Sequence, residues 1–250
     1  NGSEASWFNY SLCVMDKELY NKNTLFYLNE KLVCYLGIES KLGEAYFFFR
    51  NNELSNQDIK EIIEYGVNNL SYNNHIIFKV YSKQTQLKEV LKENGYTITG
   101  AWKFYNYDYD DTFNYELPNG FSYIKDIDIH KLKKCLWEGF DNVGANDDVT
   151  SLLNIRNSKY YPNIDVCVVN SNDDYVGFGG VWIEKKNNLC YLEPLCVISK
   201  YRHLGIGKAI ISEIKKRSLE FNCLKMTGGI SDFYKSIGFN SYFRLEMYEK

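Results

Sequence analysis

After residue 120 the spacing of apolar positions alternates between two and about 3.6 residues, which predicts strands and amphipathic helices in succession. Strands are predicted at residues 121–124, 165–169, 176–183, 189–197 and 223–226, followed by two closing strands. Helices are predicted over residues 129–140, 149–157 and 210–221, with a short helix before Gly238. We therefore expect an α/β domain in which helices cover a sheet.

The first 117 residues show a weaker form of the same succession. The expected elements are a hairpin at residues 25–28 and 31–38, a strand at 45–49, a helix over 59–67, a strand at 75–80, a helix over 87–91 and paired strands through Trp102 and Tyr107. Residues 110–120 interrupt the pattern with acidic, Pro and Gly residues, so we expect domains at 1–117 and 118–250. Too few residues precede its first predicted strand for a complete set of opening elements, which indicates that the first domain is either truncated or degenerate. Two similar halves would form an internal repeat, and two unrelated small domains are the alternative.

Composition and charge restrict the class of partner. The 250 residues carry a formal net charge of −3, so we expect no nucleic-acid partner, because such proteins neutralise phosphates with clustered Lys and Arg. No apolar run is long enough to predict a membrane span. The seven cysteines form no Cys-x-x-Cys pair and only three histidines are present, which argues against a disulfide framework and a metal site. We expect a reduced, cytoplasmic monomer or homodimer that acts on a small molecule or a peptide.

A glycine-containing stretch, residues 201–209, joins a predicted strand to a predicted helix. The free N–H groups of a helix start can bind an anion such as phosphate. A Walker A loop is excluded because Arg202 and Ala209 stand where it needs a glycine and a hydroxyl residue. A dinucleotide fingerprint is excluded because Ile210 stands at its third small-residue position.

The spacing Arg-x-x-Gly-x-Gly, formed by Arg202, Gly205 and Gly207, resembles the acyl-CoA loop of the GNAT superfamily of N-acetyltransferases. Residues 191–197 resemble the fourth strand of that family, which carries a bulge, and residues 233–239 resemble its short late helix closed by Gly-Phe. The resemblance implies the order β-α-α-β-β-β-α-β-α-β-β for residues 118–250. It also implies an α/β (α+β) fold of two GNAT-like domains, each a mixed, mostly antiparallel twisted sheet flanked by helices.

The same resemblance implies how acetyl-CoA would be held. Six successive backbone amides would cradle its pyrophosphate, namely those of His203, Leu204, Gly205, Ile206, Gly207 and Lys208, and Arg202 would add positive charge. The exposed backbone of Leu195, Cys196 and Val197 would pair with the pantetheine arm, with one N–H facing the thioester oxygen. The family's chemistry implies no metal.

Two side chains are candidates for proton transfer. Tyr234 precedes Gly-Phe at the family's spacing and is the implied general acid, with a packed aromatic as the alternative. Glu193 is the candidate base, expected to share a strand face with Tyr191 and Leu195. The alternatives for Glu193 are a substrate-binding carboxylate or a structural partner of Arg202 or Lys200.

Other residues near the predicted site are weaker candidates for a role in catalysis or in binding the acceptor. An acyl-cysteine at Cys196 is disfavoured, because no histidine lies near it in sequence and a strand cysteine is usually a small buried hydrophobe. Asp141, Asp147 and Asp148 could form an acidic rim that attracts a cationic amine, or an ordinary solvated loop.

The first half lacks both chemical features of the second. Ser55 and Asp58 form a capping-box pattern where the second half has the glycine loop, and Leu91 stands where the second half has Tyr234. We therefore expect one site, in the second half, that transfers an acetyl (acyl) group from acetyl-CoA to a primary amine of a small molecule or peptide, directly in a ternary complex. The alternatives are a non-catalytic acyl-CoA-binding regulatory module, and acyl transfer to a hydroxyl or a protein N-terminus.

Overall fold

The computed structural model describes residues 17–38, 41–49, 54–110, 112–144, 146–158 and 161–250. Its contacts form two compact units. We call Met15–Phe104 with Tyr242–Lys250 the N-terminal unit, and residues 105–241 the C-terminal unit. Of the predicted first domain, residues 1–16, 39–40, 50–53 and 111 lie outside the described residues.

The helices and strands follow the predicted succession closely. The strands are β1 (Thr24–Leu28), β2 (Lys31–Gly37), β3 (Glu44–Phe49), β4 (Ile77–Tyr81), β5 (Thr97–Asp108), β6 (Phe121–Ile124), β7 (Val166–Asn170), β8 (Tyr175–Glu184), β9 (Leu189–Val197), β10 (Lys225–Thr227) and β11 (Ser241–Glu249). The helices are α1 (Lys17–Tyr20), α2 (Asn56–Leu70), α3 (Thr85–Glu93), α4 (Ile129–Gly139), α5 (Thr150–Arg156), α6 (Ile206–Ser218) and α7 (Asp232–Ser236). Short 3₁₀ turns lie at Lys185–Asn187, Ser199–Tyr201 and Leu219–Phe221.

Two predicted strand pairs are single strands in the structure. The pair expected through Trp102 and Tyr107 is the one long strand β5, and the two expected closing strands are the one strand β11. Both segments contain no proline, and β11 contains no glycine either, so neither has a strong turn signal in its interior. The separate strands predicted at these two places are therefore wrong.

The N-terminal unit is a mixed sheet covered by two amphipathic helices. β1, β2 and β3 pair antiparallel, β3 and β4 pair parallel, and β4 pairs antiparallel with β11. The parallel step is possible because α2 carries the chain from β3 back to the start of β4. The buried residues Ile59, Ile62 and Leu91 of the helices share one core with Phe47 and Phe78 of the sheet.

The C-terminal unit is also a mixed, mostly antiparallel sheet. β6, β7, β8 and β9 pair antiparallel in that order, β9 and β10 pair parallel, and β10 pairs antiparallel with the last residues of β5. α6 shares a core with one set of sheet residues, including Val168 and Leu192. α4 and α5 share a second core with Cys167 and Cys196. The predicted α/β class with helices flanking the sheet is confirmed.

The final strand of the chain completes the sheet of the N-terminal unit. Leu245 pairs with Tyr81 and Tyr248 pairs with Phe78, and both side chains from β11 are buried. The compact units therefore change at Phe104 and at Ser241, whereas the sequence predicts a domain boundary at residue 117. That boundary stays a prediction, because contact density and evolutionary domain limits are different properties.

Replacing Tyr248 tests the place of β11 in the N-terminal core. Tyr248 is fully buried, so we expect Tyr248→Ala to lower the free energy of unfolding by about 3–5 kcal/mol. Amide exchange should accelerate in β4, the strand that β11 pairs with. Tyr242→Ala is the matched control, because this tyrosine in the same strand is 53% exposed and its loss should cost little. Equal effects of the two substitutions on the free energy of unfolding would contradict the assignment of β11 to the core of the N-terminal unit.

Candidate active site

A β-bulge lies in β9, the strand that leads to the glycine loop. Leu192 pairs with Val181 and Leu195 pairs with Gly179, so Glu193 and Pro194 together oppose the single residue Gly180. A side chain at position 180 would place its Cβ 2.7 Å from the backbone oxygen of Glu193, which only glycine avoids. The bulge that the resemblance implied is therefore present, and it depends on a glycine in the neighbouring strand.

The extra residue of the bulge shifts the alternation of side chains, so that residues of β9 after the bulge face the opposite side of the sheet from the one a regular strand would give them. Leu192 packs in the α6 core before the bulge and Leu195 packs in that same core after it, although the two positions differ by three. Cys196 packs in the other core, with α4. The expectation that Glu193 shares a regular face with Leu195 is wrong, because the extra residue breaks the period of two.

β9 separates from its parallel neighbour beyond Tyr191. The pairing of β9 with β10 covers Leu189–Tyr191 and Lys225–Thr227 and ends there. Toward β8, the N–H of Ile198 donates to the oxygen of Val176 at 2.9 Å. Because backbone groups alternate in direction along an antiparallel strand, the N–H groups of Leu195 and Val197 point away from β8, toward the opening.

The glycine loop presents a helix start without a side-chain cap. Gly205 is the N-cap of α6 with φ of +91°, and it supplies no side chain to the first turn. The first intrahelical bond runs from the N–H of Ala209 to the oxygen of Gly205 at 3.1 Å. The N–H groups of Ile206, Gly207 and Lys208 precede that bond, so the helix geometry leaves them to an external acceptor. This is the arrangement that binds phosphate groups.

The Arg202 side chain makes three hydrogen bonds to other residues of the chain. Its Nε donates to the oxygen of Val197 at 2.9 Å, and its Nη2 donates to the oxygen of Gly139 at 2.8 Å and to Oδ1 of Asp141 at 2.9 Å. The guanidinium therefore ties the end of α4 to the end of β9. That Arg202 adds positive charge at the pyrophosphate stays a prediction. These hydrogen bonds do show that Arg202 holds α4 and β9 together at their ends. The Lys208 ammonium lies 5.2 Å from the centre of the Tyr115 ring.

The three aspartates expected at the rim differ in their surroundings. Asp141 pairs with Arg202. Asp148 accepts from the N–H of Thr150 at 2.9 Å, and its hydrogen bonds with Thr150 lower the pKa of Asp148. Asp147 is exposed. The attraction of a cationic amine by this group stays a prediction.

Tyr234 lies on α7 with its ring packed into the C-terminal unit. The helix begins at Ser231, whose side chain accepts from the N–H of Phe233 at 3.2 Å. The Tyr234 ring contacts Phe239 edge to face at 5.2 Å between centroids, and the residue is 7% exposed. Burial raises the pKa of the Tyr234 phenol, the Gly229 backbone opposes that shift, and the negative charge of Glu193 adds to it. The phenol is thus held in its protonated form.

One cavity of about 670 Å³ collects most of the predicted site residues. Its lining includes Leu195, Cys196, Val197, Arg202, His203, Gly205, Ile206, Gly207, Lys208 and Tyr234. Leu204 is not among the lining residues and its side chain is 51% exposed. Glu193 lines a second cavity of about 250 Å³, together with Pro194 of the bulge. The structure therefore places the two candidate proton-transfer groups in neighbouring cavities.

Phe140 was missed by the sequence reasoning. It lines both cavities and is 51% exposed, at the position just after α4. A pattern of helical apolar spacing counts Phe140 as one more core residue, so only its exposure in the structure distinguishes it. Ser231 and Phe233 also line the larger cavity.

Cys196 lines the larger cavity but is almost fully buried beneath α4. Its Sγ lies 3.9 Å from the backbone oxygen of Cys135. This packing fits a small buried hydrophobe better than a nucleophile. Among the described residues, no group of three His, Cys, Asp or Glu side chains is arranged to hold a metal ion. No helix in the described ranges is both long and apolar enough to cross a membrane.

Comparison with known proteins adds an independent observation. The sequence profile of the acetyltransferase (GNAT) domain matches residues 162–241, which include the bulge, the glycine loop and α7. No curated protein matches the chain significantly.

Several solved structures share the fold at low identity. A GCN5-related N-acetyltransferase from Sphaerobacter thermophilus has a TM-score of 0.65 and 13% identity, over 89% of this chain and 78% of that one. One from Kribbella flavida has a TM-score of 0.64 and 12% identity, over 93% and 91%. A tandem GNAT protein from the clavulanic acid biosynthesis pathway has a TM-score of 0.68 and 9% identity, over 90% and 81%. Identities this low establish a common fold and no more.

Replacing Arg202 by Lys tests the tie between α4 and β9. Lysine keeps the positive charge but cannot make the three hydrogen bonds of the guanidinium. We expect Arg202→Lys to lower the free energy of unfolding of the unliganded protein by about 1–2 kcal/mol, measured by denaturant titration. Lys208→Gln removes a charge at the same loop and should change unliganded stability by less than about 0.5 kcal/mol. If Arg202→Lys were as stable as the wild-type protein, the hydrogen bonds of Arg202 to Val197 and Gly139 would contribute nothing to the free energy of unfolding.

Proposed function

Because the chain belongs to the GNAT superfamily of N-acetyltransferases, we propose that its C-terminal unit transfers an acetyl group from acetyl-CoA to a primary amine, directly in a ternary complex. The observation that carries the proposal is the larger cavity, in which an open strand edge and an uncapped helix start meet. The strand edge suits the amides of a pantetheine arm, and the helix start suits a pyrophosphate. Both requirements of an acyl-CoA are therefore met by backbone groups of this chain.

Backbone N–H groups in two parts of the larger cavity bind two different parts of acetyl-CoA. The N–H groups of Ile206, Gly207 and Lys208 hold the pyrophosphate, and those of Leu195 and Val197 bind the pantetheine arm and the thioester oxygen. A preorganised donor at the thioester oxygen can stabilise the transition state by about 3 kcal/mol. When bound, acetyl-CoA supplies the activated acetyl group.

Glu193 and Tyr234 move the protons. Glu193 takes a proton from the ammonium of the acceptor, which frees the nitrogen lone pair to bond to the acetyl carbon. The carbon–sulfur bond breaks, and Tyr234 gives its phenolic proton to the departing sulfur. After the attack the nitrogen still carries two protons and a positive charge, and it passes one of them to the Tyr234 phenolate, which restores the phenol. Glu193 releases the first proton to solvent, so the products are the amide, the CoA thiol and one proton. A phenol at its ordinary pKa near 10 is already protonated at neutral pH, so the raised pKa of Tyr234 keeps the proton in place but makes the phenol a weaker donor.

Thermal unfolding with and without acetyl-CoA tests the donor site. A ligand at about one hundred times its dissociation constant should stabilise the protein by about 2.7 kcal/mol. ATP and NADH serve as controls that carry phosphates but no pantetheine. The proposal also requires release of CoA thiol when an amine is added. Stabilisation by acetyl-CoA without thiol release for any amine would favour a binding module, and no stabilisation at all would rule out the donor site.

Replacing Tyr234 by Phe tests the general acid. Phenylalanine keeps the buried ring and removes the hydroxyl, so we expect kcat to fall by about 10²-fold or more. The KM for acetyl-CoA should stay within about threefold, because the phenol contributes to the chemical step. Tyr242→Phe is the control, because it removes a hydroxyl from a tyrosine that is 53% exposed and should leave kcat unchanged. An unchanged kcat in Tyr234→Phe would remove the phenol from the mechanism.

The raised pKa of Tyr234 also predicts how stability depends on pH. The folded-state pKa lies above the ordinary value near 10, so the stability contribution of the neutral phenol is intact below about pH 10 and is lost as pH rises further. We expect wild-type protein to lose more stability than Tyr234→Phe between pH 9 and about 11, measured by denaturant titration. Parallel losses would mean that burial of this phenol has no effect on its ionisation.

A further inference from the structure

The smaller cavity lies between α4, α5 and the bulge of β9, and its walls are mostly apolar. The apolar lining residues are Leu136, Trp137, Phe140, Leu152, Ile155 and Pro194, and the polar ones are Lys133, Asn142, Ser151 and Glu193. Leu136, Leu152 and Ile155 are buried in the protein, so these walls are fixed by packing and are not loosely exposed side chains. The cavity is therefore a formed apolar recess that opens beside the bulge.

The volume of the recess limits what it can hold. Its roughly 250 Å³ lies below the range of about 300–1,000 Å³ that is typical of sites for drug-sized ligands. A compact molecule fills this open recess, whereas an extended polyamine or a folded peptide segment would continue beyond it into solvent.

Charged groups in the recess are few and differ in position. Glu193 enters it from the bulge, and its negative charge acts on Tyr234 of the larger cavity. Lys133 lies on the α4 side, with its ammonium 5.8 Å from the centre of the Trp137 ring. One ammonium group of a ligand can pair with Glu193, whereas a second one would meet the positive charge of Lys133.

From these features we propose that the acceptor is a compact primary monoamine with one apolar group, either aryl or branched alkyl. The inference rests on the proposed function and names the substrate class of the same site. The ammonium binds the Glu193 carboxylate at the bulge, next to the acid Tyr234, and the apolar group fills the recess. A polar acceptor such as an amino sugar would place several hydroxyl groups against the apolar walls, where the lining offers only Asn142 and Ser151 as uncharged polar side chains, which costs affinity.

Phe140 is the specificity-determining residue of this proposal. It is half exposed and lines the recess, so an apolar ligand covers it and removes its ring from water. An amine that lacks an apolar group gains nothing from this contact. The preference of the enzyme should therefore depend on the Phe140 side chain.

The first experiment compares kcat/KM for four amines with acetyl-CoA as the donor. We expect phenethylamine and isoamylamine to exceed spermidine and glucosamine by tenfold or more. The reverse order would overturn the acceptor class and leave acetyl transfer itself intact. Lys133→Gln should raise kcat/KM for spermidine severalfold more than for phenethylamine, because it removes the charge that repels a second ammonium.

The second experiment replaces Phe140 by Ala. We expect the KM for phenethylamine to rise about tenfold, with the KM for glucosamine within about threefold. Val143→Ala is the control, because Val143 follows in the same loop and is 93% exposed. An equal rise for phenethylamine and glucosamine would assign Phe140 a general structural role and overturn its part in specificity.

Calorimetric titration separates failure of the acceptor class from failure of the proposed reaction. Phenethylamine is titrated into protein saturated with CoA, which carries no acetyl group and cannot react. Saturable binding that is weakened in both Glu193→Gln and Phe140→Ala supports the recess, even where no thiol release is seen and the proposed transfer fails. Absence of binding, or binding that neither substitution weakens, overturns the inference.

Discussion

The extra residue in β9 determines the geometry of the whole C-terminal site. Glu193 and Pro194 occupy the space opposite Gly180, and the pairing with β8 continues on both sides of them. The strand thus keeps its hydrogen bonds to one neighbour while it separates from the other beyond Tyr191. A regular strand would have remained paired on both edges and left no backbone donors for a ligand.

The bulge lies beside two cavities that share Phe140 as a lining residue. Leu195 and Val197 line the larger cavity, whereas Glu193 lines the smaller one. The Glu193 carboxylate and the Tyr234 phenol thus lie on different elements, and the charge of Glu193 acts on the phenol. Arg202 keeps the walls in place from the other end, since its guanidinium joins the last residue of β9 to the end of α4.

Local patterns were sufficient to predict most elements and part of the site. The helical spacing of Ile210 and Ile214 located α6, and the Ser55 capping box is present as expected. Features that depend on distant residues could not be found in this way. The partner of Arg202 at Gly139 is 63 positions away, and the pairing of β11 with β4 joins strands far apart in sequence. Pro194 signalled an interruption of β9, but the direction in which Glu193 points depends on pairing with Gly180.

The two helix starts that follow the parallel strands explain why one unit of the chain suits an anion and the other does not. At α2 the Ser55 side chain accepts from the N–H of Asp58, and the Asp58 carboxylate accepts from the N–H of Ser55 at 2.8 Å. These bonds satisfy N–H donors at the helix start and place a negative charge there, which repels a phosphate. At α6 the N-cap is Gly205, which supplies neither a side-chain oxygen nor a charge. The donors of α6 are left to a ligand, so the difference between Ser55 and Gly205 would confine the proposed acyl-CoA binding to the C-terminal unit.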